Sequence, residues 1–326
     1  IDDIARELQI SKTTVSRAIS GKGRIGQETR DKVLRYIKEN NYKPSAIARG
    51  LAQSKTFNIS LVMPGDSSLV DLPFYHGFLW GVSNMATKSD YDVIISMLSE
   101  MYITQLVRLI ENHKVDGVIL GRTLEDDIAE KYLKEKGVPF VTAGSSLDPT
   151  VIQVDNDHRS ACRELTSVLF SKHITKVALI GSDMKTIVSK NRLEGFKDAC
   201  MEYQVPIEED LIYLDRDNES KIEAAVEDIL KKNVECIICM DDYICGCVLA
   251  KLERENVKIP EDIKVASFYD SILLENSKAV NVSLKFNVAE MATACCNTLL
   301  SCIDKQDVPI KTLLGYEVVI RGATQS

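Results

Sequence analysis

Residues 11–20 read SKTTVSRAIS, a stretch whose only charges are Lys12 and Arg17. Val15, Ala18 and Ile19 recur at helical spacing, and Ser11 stands where its hydroxyl can accept an orphan amide of the first turn. The spacing predicts a helix over 11–19. Upstream, Ile4, Ala5 and Leu8 share one face of a helix over 1–8, and only Gln9 and Ile10 lie between the two. That is helix-turn-helix spacing. Downstream, a third helix is expected from about Gln27 to Asn40, with Val33, Leu34 and Ile37 buried and Tyr36 beside them, and with Pro44 ending the run. One small core uses up the apolar sides, leaving Lys12, Thr13, Ser16 and Arg17 outward near the end of the second helix that would enter a major groove first. Hydroxyls suit phosphate oxygens and base edges, and Arg can take guanine with two hydrogen bonds. A helical hairpin with a polar outer face would show the same pattern, so charge and context must decide.

Charge separates this head from the rest. Residues 1–56 hold 12 Lys and Arg against 6 Asp and Glu, and the remainder holds 28 against 42, within a net charge of -8. A basic module on an acidic body means that only the head would meet a polyanion. At 326 residues and 45% hydrophobic content, two or three compact units are expected. No apolar run of about 18 residues occurs. The opening residues lack the charged start and apolar core of a signal peptide, so a cytoplasmic protein with no membrane partner is expected. Nine cysteines, none before Cys162, follow no disulfide spacing and read as reduced core thiols. In CIICMDDYICGC (236–247), Cys236 and Cys239 fall on opposite faces of a strand, and Cys245 and Cys247 diverge on a helix, so neither metal nor cofactor is expected.

After Pro44 comes SAIARGLAQSKT (45–56), with Ser45 as a helix cap and Ile47, Ala48, Leu51 and Ala52 on one side. So short a helix is marginal alone and would form only against a partner, either its own copy or DNA. Taken together, TTVSRAISG, ETRDKV, NYKPS and ARGLA in this order resemble the DNA-binding head and hinge helix of the lactose-repressor (LacI/GalR) family of transcription regulators. The resemblance implies that Lys12, Thr13 and Arg17 contact bases, that Ser11, Thr14 and Ser16 support or touch backbone, and that Leu51 wedges into the operator minor groove with Ala48 beside it. Departures are Gln9 at the usual turn glycine, Ser45 at the usual hinge asparagine and Gly26 at the usual serine before the third helix.

From Asn58 onward, apolar runs alternate with helical stretches. ISLVMP (59–64), DVIISML (92–98), VDGVILG (115–121), PFVTAG (139–144) and VIQVD (151–155) form one set. KVALIG (176–181), DLIYLD (210–215), CIICMD (236–241) and KVASFYD (264–270) form a second, and YEVVIR (316–321) closes the chain. Continuous rather than alternating runs imply strands covered on both faces, hence two doubly wound parallel sheets. The fold class is therefore an all-α helix-turn-helix head on an α/β body. Ligands of such sheets bind beyond the strands' carboxyl ends. The candidates there are Asp66 to Tyr75, Gly144, Ser145, Asp155, Ser182 to Arg192, Asp241, Asp242, Tyr269 and Asp270. Carboxylates and a guanidinium suit vicinal hydroxyls, and Phe74, Tyr75 or Tyr243 offer faces for a sugar ring. Strand-end acids can equally do no more than cap helices.

The resemblance extends through the body as the two-lobed, periplasmic-binding-protein-like sugar-binding fold. It implies a hinge over 45–57, an N-lobe of about 58–155 plus 284–311, and a C-lobe of about 156–283 plus 312–326, after a head of 1–44. NRLEGF (191–196) matches an effector-arginine motif at Arg192, and CMDDYICG (239–246) places Asp241 and Asp242. SFYDS (267–271) puts Tyr269 where a sugar-binding Asp is common, followed by Asp270, and SKAVNVSLKF replaces a proline-rich segment. Lys172 stands at a usual glycine, and the variant is similar to the maltose-type branch. Effector contacts are thus expected from Phe74, Tyr75, Arg192, Asp241, Asp242, Tyr269 and Asp270. His76, His113, His158 and His173 form no triad pattern. His76 either faces the cleft or lies on a helix surface.

The expectation is a dimeric repressor binding a near-palindromic double-stranded operator, switched by a small sugar between its lobes. The absence of a heptad tail before Ser326 favours a homodimer over larger assemblies. A sugar-binding transport component would share the body but not the basic head. An enzyme on a sugar or nucleoside would need Asp241 and Asp242 to converge on one substrate atom, which adjacent residues rarely do.

Overall fold

The computed structural model describes residues 2–20, 23–40, 50, 53–65, 73–99, 101–275 and 277–321. Among the described residues the head contains three helices, α1 (Asp2–Glu7), α2 (Lys12–Ser20) and α3 (Gln27–Glu39). Ile4, Ala5, Val15, Ala18 and Val33 form its core, with Leu8, Ile10, Ile19, Tyr36 and Ile37 packed around them. Leu34, expected in that core, is instead 42% exposed. It lies one residue, about 100°, round the helix from Val33, and the narrow stripe of a three-helix head does not reach it. Gly26 precedes α3 with no side-chain cap bond.

The turn between α1 and α2 carries a strain that the sequence announces. Gln9 has φ +52°, in the left-handed region where a Cβ clashes with the backbone. Glycine would remove that clash at some cost in chain entropy. Gln9→Gly is therefore expected to stabilise the head by about 0.5–1 kcal/mol, read as several-fold slower hydrogen exchange of the α1 and α2 amides.

The link to the body is tied down at its exit. Ser54 is left-handed (φ +54°) and the Lys55 amide donates to the Gly50 carbonyl at 3.0 Å, a helix-terminating pattern. Thr56 and Phe57 then donate both backbone amides, and Thr56 its hydroxyl, to the carboxylate of Asp116 at 2.7–2.9 Å. Lys55 pairs with Asp304.

The N-lobe sheet contains β1 (Asn58–Pro64), β2 (Asp92–Leu98), β3 (Gly117–Leu120), β4 (Phe140–Ala143), β5 (Gln153–Asn156) and β11 (Lys311–Leu314). Its order is β11-β5-β4-β3-β1-β2, parallel throughout. The C-lobe sheet contains β6 (Val177–Ile180), β7 (Ile212–Tyr213), β8 (Cys236–Cys239), β9 (Lys264–Ser267), β10 (Val280–Phe286) and β12 (Tyr316–Ile320). Its order is β12-β10-β9-β8-β6-β7, with only β12 antiparallel. In both sheets the strand order reverses beside the first strand, the switch point at which such sheets open a crevice. Two of these strands, β10 and β11, were not among the expected runs, and DLIYLD shrinks to a two-residue strand after a 3-10 turn.

Helices cover both faces of each sheet. The N-lobe carries α4 (Pro73–Lys88), α5 (Thr104–Glu111), α6 (Ile128–Lys136) and the late α11 (Val288–Ile303). The C-lobe carries α7 (His158–Ser171), α8 (Ile187–Glu202), α9 (Glu219–Ile229) and α10 (Asp242–Arg254). The chain passes between lobes after Asn156, after Phe286 and, through Gly315, after Leu314, all at the β5/β11 and β10/β12 edges. Gly195, the glycine of NRLEGF, lies where α8 meets α7. A Cβ there would stand 2.3 Å from the Arg159 carbonyl oxygen, so the motif's glycine sets the helix approach that presents Arg192.

Candidate nucleic-acid interface and effector cleft

On α2 the Ser11 hydroxyl accepts the Thr14 amide at 3.0 Å and shares a 2.8 Å bond with the Thr14 hydroxyl. Both hydroxyls are thus engaged in starting the helix. Lys12, Thr13 and Arg17 are exposed, while Thr14 and Ser16 are half-buried. Ala48 and Leu51, with Ser45, lie outside the described residues, as does Asp66.

The cleft is built by strand ends. Arg192, 8% exposed on α8, donates from Nη1 to the Met240 carbonyl at 2.6 Å, and its guanidinium lies 5.9 Å from the centre of the Tyr269 ring. Asp241 follows β8 and caps α10, accepting the Ile244 amide at 2.8 Å. Asp242 is buried, accepts the Tyr243 amide at 3.1 Å with Oδ1, and has no partner at Oδ2. Burial raises the proton affinity of both acids, and the nearby Arg192 charge opposes it. Tyr269 stacks at 12° on Phe286, 6.2 Å away, and meets Phe74 edge-on at 6.4 Å. Phe74 therefore touches the C-lobe from α4.

Some expected residues are placed differently from one another. Tyr75 is buried in the N-lobe core beneath Phe74. Asp270 is held by Arg321 and by the Ser283 hydroxyl at 3.2 Å, with Oδ1 unpartnered. Tyr243 is part-exposed on α10, its proton affinity raised by burial and by Cys247 and Glu219. Ser145 donates its amide and hydroxyl to Asp155 at 3.0 and 2.6 Å. His76 is exposed on α4.

His158, not among the expected effector contacts, also lies beside these residues. It is 7% exposed, lies 3.8 Å from Asp155 and 4.6 Å from the Phe286 ring centre, and has no partner at Nδ1. Burial first, and the Arg192 charge second, push its proton affinity well down, so it is neutral. Extending the strand-end rule three residues beyond Asp155 would have found it. The cluster presents two carboxylate oxygens (Asp242 Oδ2, Asp270 Oδ1), an imidazole nitrogen (His158 Nδ1) and a guanidinium donor (Arg192 Nε) without protein partners. Such a set suits a ligand rich in hydroxyl donors.

Asp242 also fixes a pH signature. A carboxyl whose folded value is raised adds stability below the unfolded value of about 4 and removes it as pH rises through the folded value. Asp242→Asn is therefore expected to melt higher than the parent at pH 7, by about 2 °C or more, with the gap closing towards pH 4. A gap that widens on acidification would overturn this reading.

Among the described residues no group of three or more His, Cys, Asp or Glu side chains could hold a metal, and no helix is long and apolar enough to cross a membrane. Buried thiols such as Cys236 are pushed up to about 12 by burial, which keeps them unreactive.

Residues 1–45 match the family model described as bacterial regulatory proteins, lacI family, and residues 56–277 match that of periplasmic binding proteins and the sugar binding domain of the LacI family. Catabolite control protein A of Staphylococcus xylosus is 27% identical over 330 residues, covering 100% of this chain and 99% of that protein. HTH-type transcriptional regulator MalR of Streptococcus pneumoniae is 28% identical over 329 residues, 98% of each. Among solved structures, the transcriptional regulator CelR–cellobiose complex aligns with TM-score 0.75 at 24% identity over 98% of this chain and 97% of its own. CcpA of Lactococcus lactis aligns with TM-score 0.73 at 19% identity over 82% and 99%. These relatives are regulators rather than enzymes.

Proposed function

Because this chain belongs to the LacI family, as a transcriptional regulator with a helix-turn-helix head and a sugar-binding domain, we propose that it is a homodimeric repressor of a near-palindromic operator, controlled by a neutral carbohydrate. Lys12, Thr13 and Arg17 read bases. Ser11, Thr14 and Ser16 set the helix against the backbone. Hinge helices over 45–53 pair in the dimer and place Leu51 and Ala48 in the minor groove. Arg192, Asp241, Asp242, Tyr269 and Phe74 hold the sugar, with Tyr75 and Asp270 supporting them.

The observation that carries the effector assignment is the buried Arg192 beside the Tyr269 ring, with its charge acting on Asp241 and Asp242 and with unpartnered atoms on Arg192, Asp242 and Asp270. Carboxylate and guanidinium groups over a ring face suit vicinal hydroxyls and a pyranose plane. The names of relatives support the class: CelR is in complex with cellobiose, and a relative is named MalR. The dimer is supported by an apolar surface on the N-lobe. Trp80 on α4 is 73% exposed, with Met101 and Tyr102 similar, and Ile95 and Met97 emerge from the edge strand β2. That edge is otherwise shielded, since Gln105 bonds the Met97 amide and the Ile95 carbonyl. A symmetric dimer then matches a symmetric site.

The test is thermal melting with a panel of neutral mono- and oligosaccharides, sugar phosphates, nucleosides and purine bases. A ligand bound only by the folded protein raises the melting point by mass action. A shift with a neutral sugar, followed by a change in operator affinity with that sugar, is expected. A shift confined to phosphorylated or purine ligands would overturn the carbohydrate assignment and leave DNA binding untouched.

A further inference from the structure

Besides the three strand crossings and the Phe74–Tyr269 contact, the two lobes meet at a further place. The loop after β3 reaches the loop after β6, and Leu124 and Thr186 form an antiparallel bridge. The Glu125 amide donates to the Lys185 carbonyl at 2.9 Å, and the Ile187 amide to the Thr123 carbonyl at 3.2 Å. Lys190 pairs with Glu125 at 2.6 Å on the outer side. Each loop is stiffened on its own account. Asp127 accepts the Leu124, Ala129 and Glu130 amides. Asp183 accepts the Lys185 amide, and Asp215 the Met184 amide.

The position of this bridge matters. β3 lies two strands in from β5, and β6 three strands in from β10, so the contact stands on the order of 10–15 Å from the crossings. Ser145, Asp241, Asp242 and Tyr269, which follow β4, β8 and β9, lie between the two. The lobes are thus joined on both sides of the Arg192 cluster.

We propose that residues 123–125 and 185–187 form an interlobe clasp that holds the cleft shut before any effector binds, and that an effector entering from that side passes only when the clasp opens. Backbone pairing supplies most of the hold, because the Lys190–Glu125 pair is solvent-exposed and such pairs contribute little. The clasp stands independently of the effector's chemistry, and its test needs no effector.

One amide can be removed without breaking the fold. Ile187 is the first residue of α8, where the amide has no partner within the helix, so proline is tolerated there. Thr186 has φ -80° and ψ 139°, which suits a residue before proline. Ile187→Pro deletes the bond to Thr123, and Ile187→Ala keeps it while also losing the buried side chain. The readout is hydrogen exchange at the Glu125 amide in the full-length protein without added sugar. In the parent it is expected to be slowed at least roughly tenfold relative to an unstructured peptide, to quicken roughly tenfold in Ile187→Pro, and to stay within about threefold of the parent in Ile187→Ala. Unprotected exchange in the parent, or equal exchange in the two variants, would overturn the clasp.

Discussion

Arg192→Ala is expected to abolish the effector response while operator binding stays within about twofold of the parent. The guanidinium is a donor among the unpartnered buried atoms of the cleft, and it opposes the burial penalty on Asp241 and Asp242. Truncating one member of a buried charged cluster costs about 3–5 kcal/mol, much of it from the charge left behind. Two acids without a counter-charge take up protons instead, and the site loses both its fork of donors and its acceptors. Sugar affinity should fall on the order of 100-fold or more. Titration calorimetry with the sugar found by melting, beside operator anisotropy with and without that sugar, measures both halves. Arg192→Lys separates charge from geometry: it should keep the melting temperature closer to the parent and still lose about tenfold in affinity, because an ammonium cannot span two partners in a plane. An intact response in Arg192→Ala would remove this residue from the pocket.

Leu51→Ala is expected to weaken specific operator binding on the order of 100-fold and leave nonspecific binding, with its salt dependence, near the parent value. An apolar wedge acts only where DNA is bent and unstacked, which costs a few kcal/mol that only the complete fit offsets. Nonspecific binding instead depends on the head's Lys and Arg charges, which this change does not touch. Equal losses on operator and random DNA would remove Leu51 from the wedge role. Salt titrations on both duplexes make the comparison, since a shared slope shows that phosphate contacts are unchanged.

The sequence was most legible where one physical rule governed a whole element. Runs such as ISLVMP and CIIC are buried on both faces, so their composition alone marks them as strands. VNVSLKF was missed because it alternates, and alternation suggests a face in water. Here the polar partners are buried yet satisfied, Asn281 by the Val265 amide and Ser283 by Asp270 and Arg321. KTLL is too short and too exposed to stand out. In the cleft, the acids and arginine were visible from strand ends and motifs. His158 was not, because its burial depends on Phe286 from the distant strand β10, although Asp155 lies only three residues before it. Leu34 shows the converse, an apolar residue at helical spacing for which the small head has no interior left.

The strand crossings also bear on how the molecule comes into being. Each lobe's sheet is finished by an edge strand from one short stretch, β11 beside β5 and β12 beside β10. During synthesis the N-lobe must wait until all of the C-lobe but its last strand has been made before its sheet is complete, and the C-lobe then receives that strand within a few residues. Until that moment β5 and β10 present unpaired backbone, the kind of edge on which chains stick to one another. The two lobes should therefore mature together and late, and a chain shortened before Lys311 should be captured by chaperones or aggregate rather than persist as a weaker regulator.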